Sequence, residues 1–258
     1  MTYVPGSVPA DSDVSFGNVF ERSFSIVFRN ILPLLLLGAI AALPYLLIYS
    51  IQDDTTAAAA APITKANLSP DIIIIGAVTL IAAFALRPIC QAIILFGAFQ
   101  DMLGRDFPIG ESLRKGLSRI FPIFGMLIVE GLALLVGFML LFIPGYMLFV
   151  AWYAALPVLV VERLGPIASL RRSAELTKGH RWKIFGIIFV MGIVAGIIGA
   201  VINAVALMFH EHAVHTIVQY LFQALLIAFE SVVGVVLYHD LRAAKEGINT
   251  ERIAAVFD

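Results

Sequence analysis

The chain has 258 residues, 60% of them apolar and only 14% charged, where a soluble domain carries about a quarter. Its net charge of −1 excludes a globally basic nucleic-acid binder. The single cysteine, Cys90, excludes an internal disulfide and leaves the redox compartment open. Of the 17 Lys and Arg residues, 15 fall in four stretches: 1–30, 101–119, 162–183 and 239–258. Only Lys65 and Arg87 lie in the three apolar blocks between them. Basic flanks stay cytoplasmic, so this sorting predicts a polytopic membrane protein of defined orientation.

In chain order, the first 15 residues carry neither a basic leader region nor a short apolar core, and no cleaved signal peptide is expected. Phe16, Val19, Phe20, Phe24 and Val27 then recur at helical spacing. A first span runs from Ile31 to Ile51 without a charge, close to the roughly 20 residues that cross a bilayer. Residues 52–70 read as a polar loop. Ser69-Pro70-Asp71 reads as a capped helix start, and the helix extends to a stop at Gly104. At about 48 Å it exceeds the hydrocarbon core, so Gln100 and Asp101 are expected to emerge into the cytoplasm.

A second amphipathic stretch follows, with Ile109, Leu113, Leu117, Ile120 and Phe121 on one face. The third span is Ile120 to Ile143, Pro144-Gly145 is a turn signal, and the fourth span is Tyr146 to Val161, forming a tight hairpin. Ile167, Leu170 and Ala174 mark a third amphipathic helix that Gly179 stops. The fifth span runs from Ile184 to Phe209 and the sixth from Thr216 to Tyr238, continuing to Gly247. Six spans with a basic amino-terminal flank put both termini in the cytoplasm.

The three amphipathic stretches share a short pattern of apolar, charged, basic, small residues: Phe20-Glu21-Arg22-Ser23, Leu113-Arg114-Lys115-Gly116 and Leu170-Arg171-Arg172-Ser173. Within one membrane domain over 1–258, this suggests three units, 16–103, 109–161 and 167–247. Each is an interfacial helix followed by a transmembrane hairpin. The fold class read from these elements is all-α, a six-helix membrane bundle in three hairpins.

Ionisable residues inside spans are costly and face protein interior. Counted along each helix, Arg87 lies about 22 Å and Glu230 about 21 Å from the outer end, whereas Glu130 is near the midplane. Arg87 is therefore matched with Glu230, with snorkelling to the headgroups as the other reading. Glu130 reads either as a proton or cation site or as a hydrogen-bond partner of Asn203, Gln219 or Gln223. Pro88 and Pro157 free the carbonyls of Phe84 and Tyr153. Gly192-x-x-x-Gly196, with Gly199, gives the fifth span a small face suited to close packing, against this chain or a second protomer. His210, Glu211, His212 and His215 read as a short polar loop or a metal-holding group, and their spacing is not that of a zincin. No resident cofactor or metal is expected.

A longer string follows the fourth span: Ala155-Leu156-Pro157, Val161-Glu162, Gly165, Ser169-Leu170-Arg171-Arg172-Ser173 and Leu176-Thr177-Lys178-Gly179-His180-Arg181-Trp182. With Tyr238-His239-Asp240-Leu241-Arg242 and Lys245-Glu246-Gly247, it resembles the glycerophosphoryl diester phosphodiesterase membrane-domain family and related bacterial inner-membrane proteins. The resemblance is strongest over 144–184 and 234–247. His239 stands where an aromatic residue is the family's commoner choice. The resemblance implies a multi-pass bacterial inner-membrane domain, in some proteins fused to a separate barrel that carries the phosphodiesterase activity. This chain has no room for such a barrel of roughly 250 residues, so no catalysis is expected of it.

The leading functional reading is a non-catalytic membrane domain whose cytoplasmic face binds or organises anionic lipids, a partner protein or a second copy. Arg114, Lys115, Arg119, Arg171, Arg172, Lys178, Arg181 and Lys183 form that face. The alternatives are a small transporter or channel using Glu130 and Arg87, and a membrane companion of a separate phosphodiesterase.

Overall fold

At Asn30 the chain turns through 94° between two helices, α1 (Phe16–Arg29) and α2 (Ile31–Thr56). The Asn30 backbone N–H and side-chain amide both donate to the Ile26 carbonyl, closing α1 while α2 leaves at right angles. The computed structural model describes residues 15–56, 70–206 and 212–246. Among these, the remaining helices are α3 (Pro70–Met102), α4 (Ile109–Leu117), α5 (Ile120–Leu140), α6 (Phe142–Trp152), α7 (Ala155–Val161), α8 (Pro166–Thr177), α9 (Arg181–Ala206) and α10 (His212–Glu246). No strand occurs among the described residues. Among the described residues five helical segments are long and apolar enough to cross a membrane, with α6 and α7 counted as one, or six if the bent α1–α2 pair is counted as one span. Lys65, Ser69, His210, Glu211 and Gly247 lie outside the described residues.

α2 packs along both α3 and α10, and these three form the core of the bundle. The α2–α10 seam is made of small residues. Gly38 lies against the Ala224 backbone, with Ala41, Ala42 and Ala228 buried beside it. α3 ends in a Schellman motif: Arg105 N–H donates to the Gln100 carbonyl and Gly104 N–H to the Asp101 carbonyl. Gly104 takes φ +75°, the left-handed conformation that this cap requires.

Three segment boundaries differ from the sequence reading. The third span ends at Leu140, and extended Leu141, not Pro144-Gly145, makes the turn. Pro144 is the third residue of α6, where no intrahelical N–H bond is needed. Gly145 serves packing instead, because a Cβ there would come 2.7 Å from the Phe138 ring. The fourth span begins earlier, at Phe142, ends at Val161 as read from the sequence, and breaks at Tyr153-Ala154, beside the carbonyl that Pro157 frees. Pro157 explains the place: it cannot bond the Tyr153 carbonyl, so the helix restarts with Pro157 in the first turn of α7. Asp101, at the end of α3, is buried against Arg29 of α1.

α1, α4 and α8 lie at one end of the bundle and bury equivalent positions. In α1 these are Val19 and Ser23, in α4 Ser112 and Gly116, and in α8 Ser169 and Ser173. Each pair is four residues apart and so shares one helix face. The second of each pair is the small residue of the repeated sequence pattern.

Candidate functional site

The basic end of the bundle carries an ion-pair lattice built from the cytoplasm-predicted cations and a few acids at helix ends. Arg22 of α1 reaches Asp240 of α10 at 2.5 Å. Arg29, the last residue of α1, grips Asp101 of α3 with two nitrogens, Nε to Oδ1 at 3.0 Å and Nη2 to Oδ2. The Asp101 side chain is only 6% exposed, so this fork neutralises a buried carboxylate and ties the bend at Asn30 to α3.

A second group joins α7, α8 and α10. Arg172 donates to Glu162 (Nε to Oε2, 3.2 Å) and pairs with Glu246. Tyr238 OH donates to Glu162 Oε1 at 2.9 Å, and Arg242 Nε donates to Glu246 Oε2 at 2.6 Å. Buried charges need such multiple partners to persist. The residues come from two stretches far apart in sequence, 162–172 and 238–246, which are parts of the two strings that carry the family resemblance.

Ser173 and Thr177 attach α8 to the broken span. The Ser173 hydroxyl donates to the Ala151 carbonyl at 2.9 Å, and the Thr177 hydroxyl is shared between that carbonyl at 3.1 Å and the Ser173 carbonyl of its own helix at 2.9 Å. The α6–α7 break leaves that carbonyl without its usual helical partner, and α8 supplies the missing donors.

Deeper in the bundle, Arg87 Nη2 donates to Glu230 Oε2 at 2.7 Å, and Tyr45 OH accepts a long bond of 3.4 Å from Nη1. The pair joins α3 to α10, the match read from the sequence. Its side chains remain 35% and 38% exposed. Glu130 does not reach Asn203, Gln219 or Gln223. Asn203 Oδ1 is taken by Gln219 at 3.2 Å and by His215 at 3.0 Å, near the opposite end of the bundle from the basic lattice. Glu130 occupies the partly shielded stripe of α5 that continues from buried Ile123 and Met126, with no polar partner among the described residues.

The eight basic residues singled out in the sequence divide. Arg172 is consumed by the lattice, and Arg171 makes only an exposed pair with Glu175 at 3.6 Å. Arg119 donates to the Arg163 carbonyl at 3.3 Å. Arg114, Lys178 and Lys183 are exposed, and Lys115 and Arg181 are half-buried. Gly192 and Gly196 meet nothing within 4 Å among the described residues, so the small face of α9 has no partner there among them; of the three glycines, Gly199 alone approaches Phe222. No metal-holding group of His, Cys, Asp and Glu occurs among the described residues. His215 bonds Asn203, and His210 lies outside them.

A family model described as a domain of unknown function (DUF7847) matches residues 107–241, just over half of the chain, and the chain belongs to that family. No curated protein matches it. No solved structure matches it either.

Proposed function

We propose that this member of the DUF7847 family is a non-catalytic, multi-pass bacterial inner-membrane protein whose cytoplasmic face organises anionic lipids. The carrying observation is the set of three short amphipathic helices gathered at the basic end of the bundle. α1 lies at 94° to α2, the angle of a helix in the headgroup plane beside one that crosses. Each of α1, α4 and α8 precedes two crossings, which makes three hairpins with both termini cytoplasmic. Exposed Trp182 at this end is suited to the headgroup level.

The test uses the full chain in vesicles with spin-labelled phosphatidylglycerol and phosphatidylcholine. The reading expects a stronger association with the anionic lipid, screened by salt. Equal association of the two lipids would remove it. In a Cys90→Ser background, cysteines placed at Arg114 and Lys178 should label only from the cytoplasmic side.

Partnership with a separate phosphodiesterase is the second reading, supported by the meeting of the two resembling strings around Glu162, Arg172, Tyr238 and Glu246. Co-purification of such an enzyme, lost on disrupting that lattice, would favour it. For transport, the one favouring observation is Glu130 without a polar partner among the described residues. Solute or proton flux in proteoliposomes that stops in Glu130→Gln would establish that use.

A further inference from the structure

We infer that α4 is the docking surface for anionic phospholipid headgroups, and that α1 and α8, despite their similar sequences, are not. The inference deepens the lipid reading above and rests on it. The three helices differ in what their cations already hold. α1 spends Arg22 on Asp240 and Arg29 on Asp101. α8 spends Arg172 on Glu162 and Glu246, and its Arg171 is loosely paired at the surface with Glu175. On α4, Arg114 and Lys115 have no acidic partner among the described residues.

The faces of α4 agree. Ser112 and Gly116 point inward, and Gly116 lies so close to Ile93 that a Cβ would come 2.4 Å from its side chain. The apolar residues are turned away from the protein: Ile109, Leu113 and Leu117 are 53%, 44% and 46% exposed. This strip continues into Phe121, 88% exposed, and then into the open flank of α5 at Ile128, Leu132 and Leu135. A surface continuous with the outside of a membrane-crossing helix is covered by acyl chains. Arg114 and Lys115 leave α4 about 100° and 200° around the helix from Leu113, so their charges sit off the apolar strip, Arg114 exposed and Lys115 half-buried, where headgroup phosphates lie above the acyl chains. Apolar continuity with the span and open positive charge together select a bilayer lipid over an acidic protein.

The experiment compares spin-labelled phosphatidylglycerol with phosphatidylcholine on four forms of the full chain. These are wild type, Arg114→Gln/Lys115→Gln, the charge-conserving Arg114→Lys/Lys115→Arg, and Arg171→Gln. Removing each charge from α4 should lower the relative association with the anionic lipid by about fivefold. The charge-conserving form and Arg171→Gln should match wild type. If Arg171→Gln lowers the preference and the α4 double substitution does not, the docking surface is on α8; this inference falls and the lipid reading stands. Loss in the charge-conserving form as well would overturn electrostatic docking on α4. Absence of any preference in wild type removes both readings.

Discussion

Gly38→Ala and Gly192→Ala are the same chemical change, and the structure assigns them opposite signs. A Cβ on Gly38 would sit 2.2 Å from the Ala224 carbonyl oxygen and 3.0 Å from its carbon, where ordinary contact begins at 3.4 Å. Both sides of this contact are helix backbone, so no rotamer change relieves it. The helices must part by roughly 1 Å, which loosens the seam of Ala41, Ala42, Ile227 and Ala228. Overpacking of this kind costs about 1–3 kcal/mol, and backbone against backbone belongs at the upper end. Replacing glycine by alanine in a helix returns up to about 1 kcal/mol. Gly38→Ala should therefore destabilise by about 2 kcal/mol net. At Gly192 nothing lies within 4 Å, leaving only the propensity gain. The assay is unfolding of the full chain in mild detergent on titration with dodecyl sulfate, followed by far-ultraviolet circular dichroism. A Gly38→Ala protein as stable as wild type would refute the close seam. A concentration-dependent loss in Gly192→Ala would show that a second copy covers that face.

Arg87→Met and Glu230→Met should each destabilise by about 2 kcal/mol, below the ~3–5 kcal/mol of a fully buried pair because about a third of each side chain is open. In a double-mutant cycle the losses should be less than additive by about 1 kcal/mol or more, and the charge swap should recover stability; strict additivity would count against the pair. Ser173→Ala/Thr177→Val removes the Ser173 donor to the Ala151 carbonyl and the Thr177 hydroxyl shared between that carbonyl and the Ser173 carbonyl, and should cost about 1–3 kcal/mol, read by the same titration. A cost of a few tenths would mean that the carbonyl at the α6–α7 break finds another donor.

The spans and the Arg87–Glu230 match were legible because each depends on local information: apolar length, basic flanks, and a fixed rise per residue. Features that depend on which helices become neighbours were not. Gly192 and Gly196 have the recognised packing spacing and touch nothing, while Gly38, with no glycine four residues away, carries the tightest helix contact described here. That contact is with Ala224, and nothing near Gly38 names α10 as its partner. Pro144-Gly145 misled for a related reason. Proline is harmless in the first turn of a helix, and glycine admits a neighbour as readily as it makes a turn, so one dipeptide fits two roles.

The ion-pair lattice was the largest omission, though one signal for it stands in the sequence. Orientation is set by Lys and Arg, and acids contribute little to it. Acids at the ends of apolar runs on the basic side therefore need another explanation. Asp101, Glu162, Asp240 and Glu246 are such acids, and each holds an arginine from α1, α8 or α10 itself. Each arginine they hold is withdrawn from the surface that sequence alone assigns to headgroups. Counting cations overstates that surface; subtracting those that face acids leaves Arg114 and Lys115 of α4 without an acidic partner among the described residues. The middle unit thus differs from the other two in the property that a lipid would recognise, although its sequence pattern is nearly theirs.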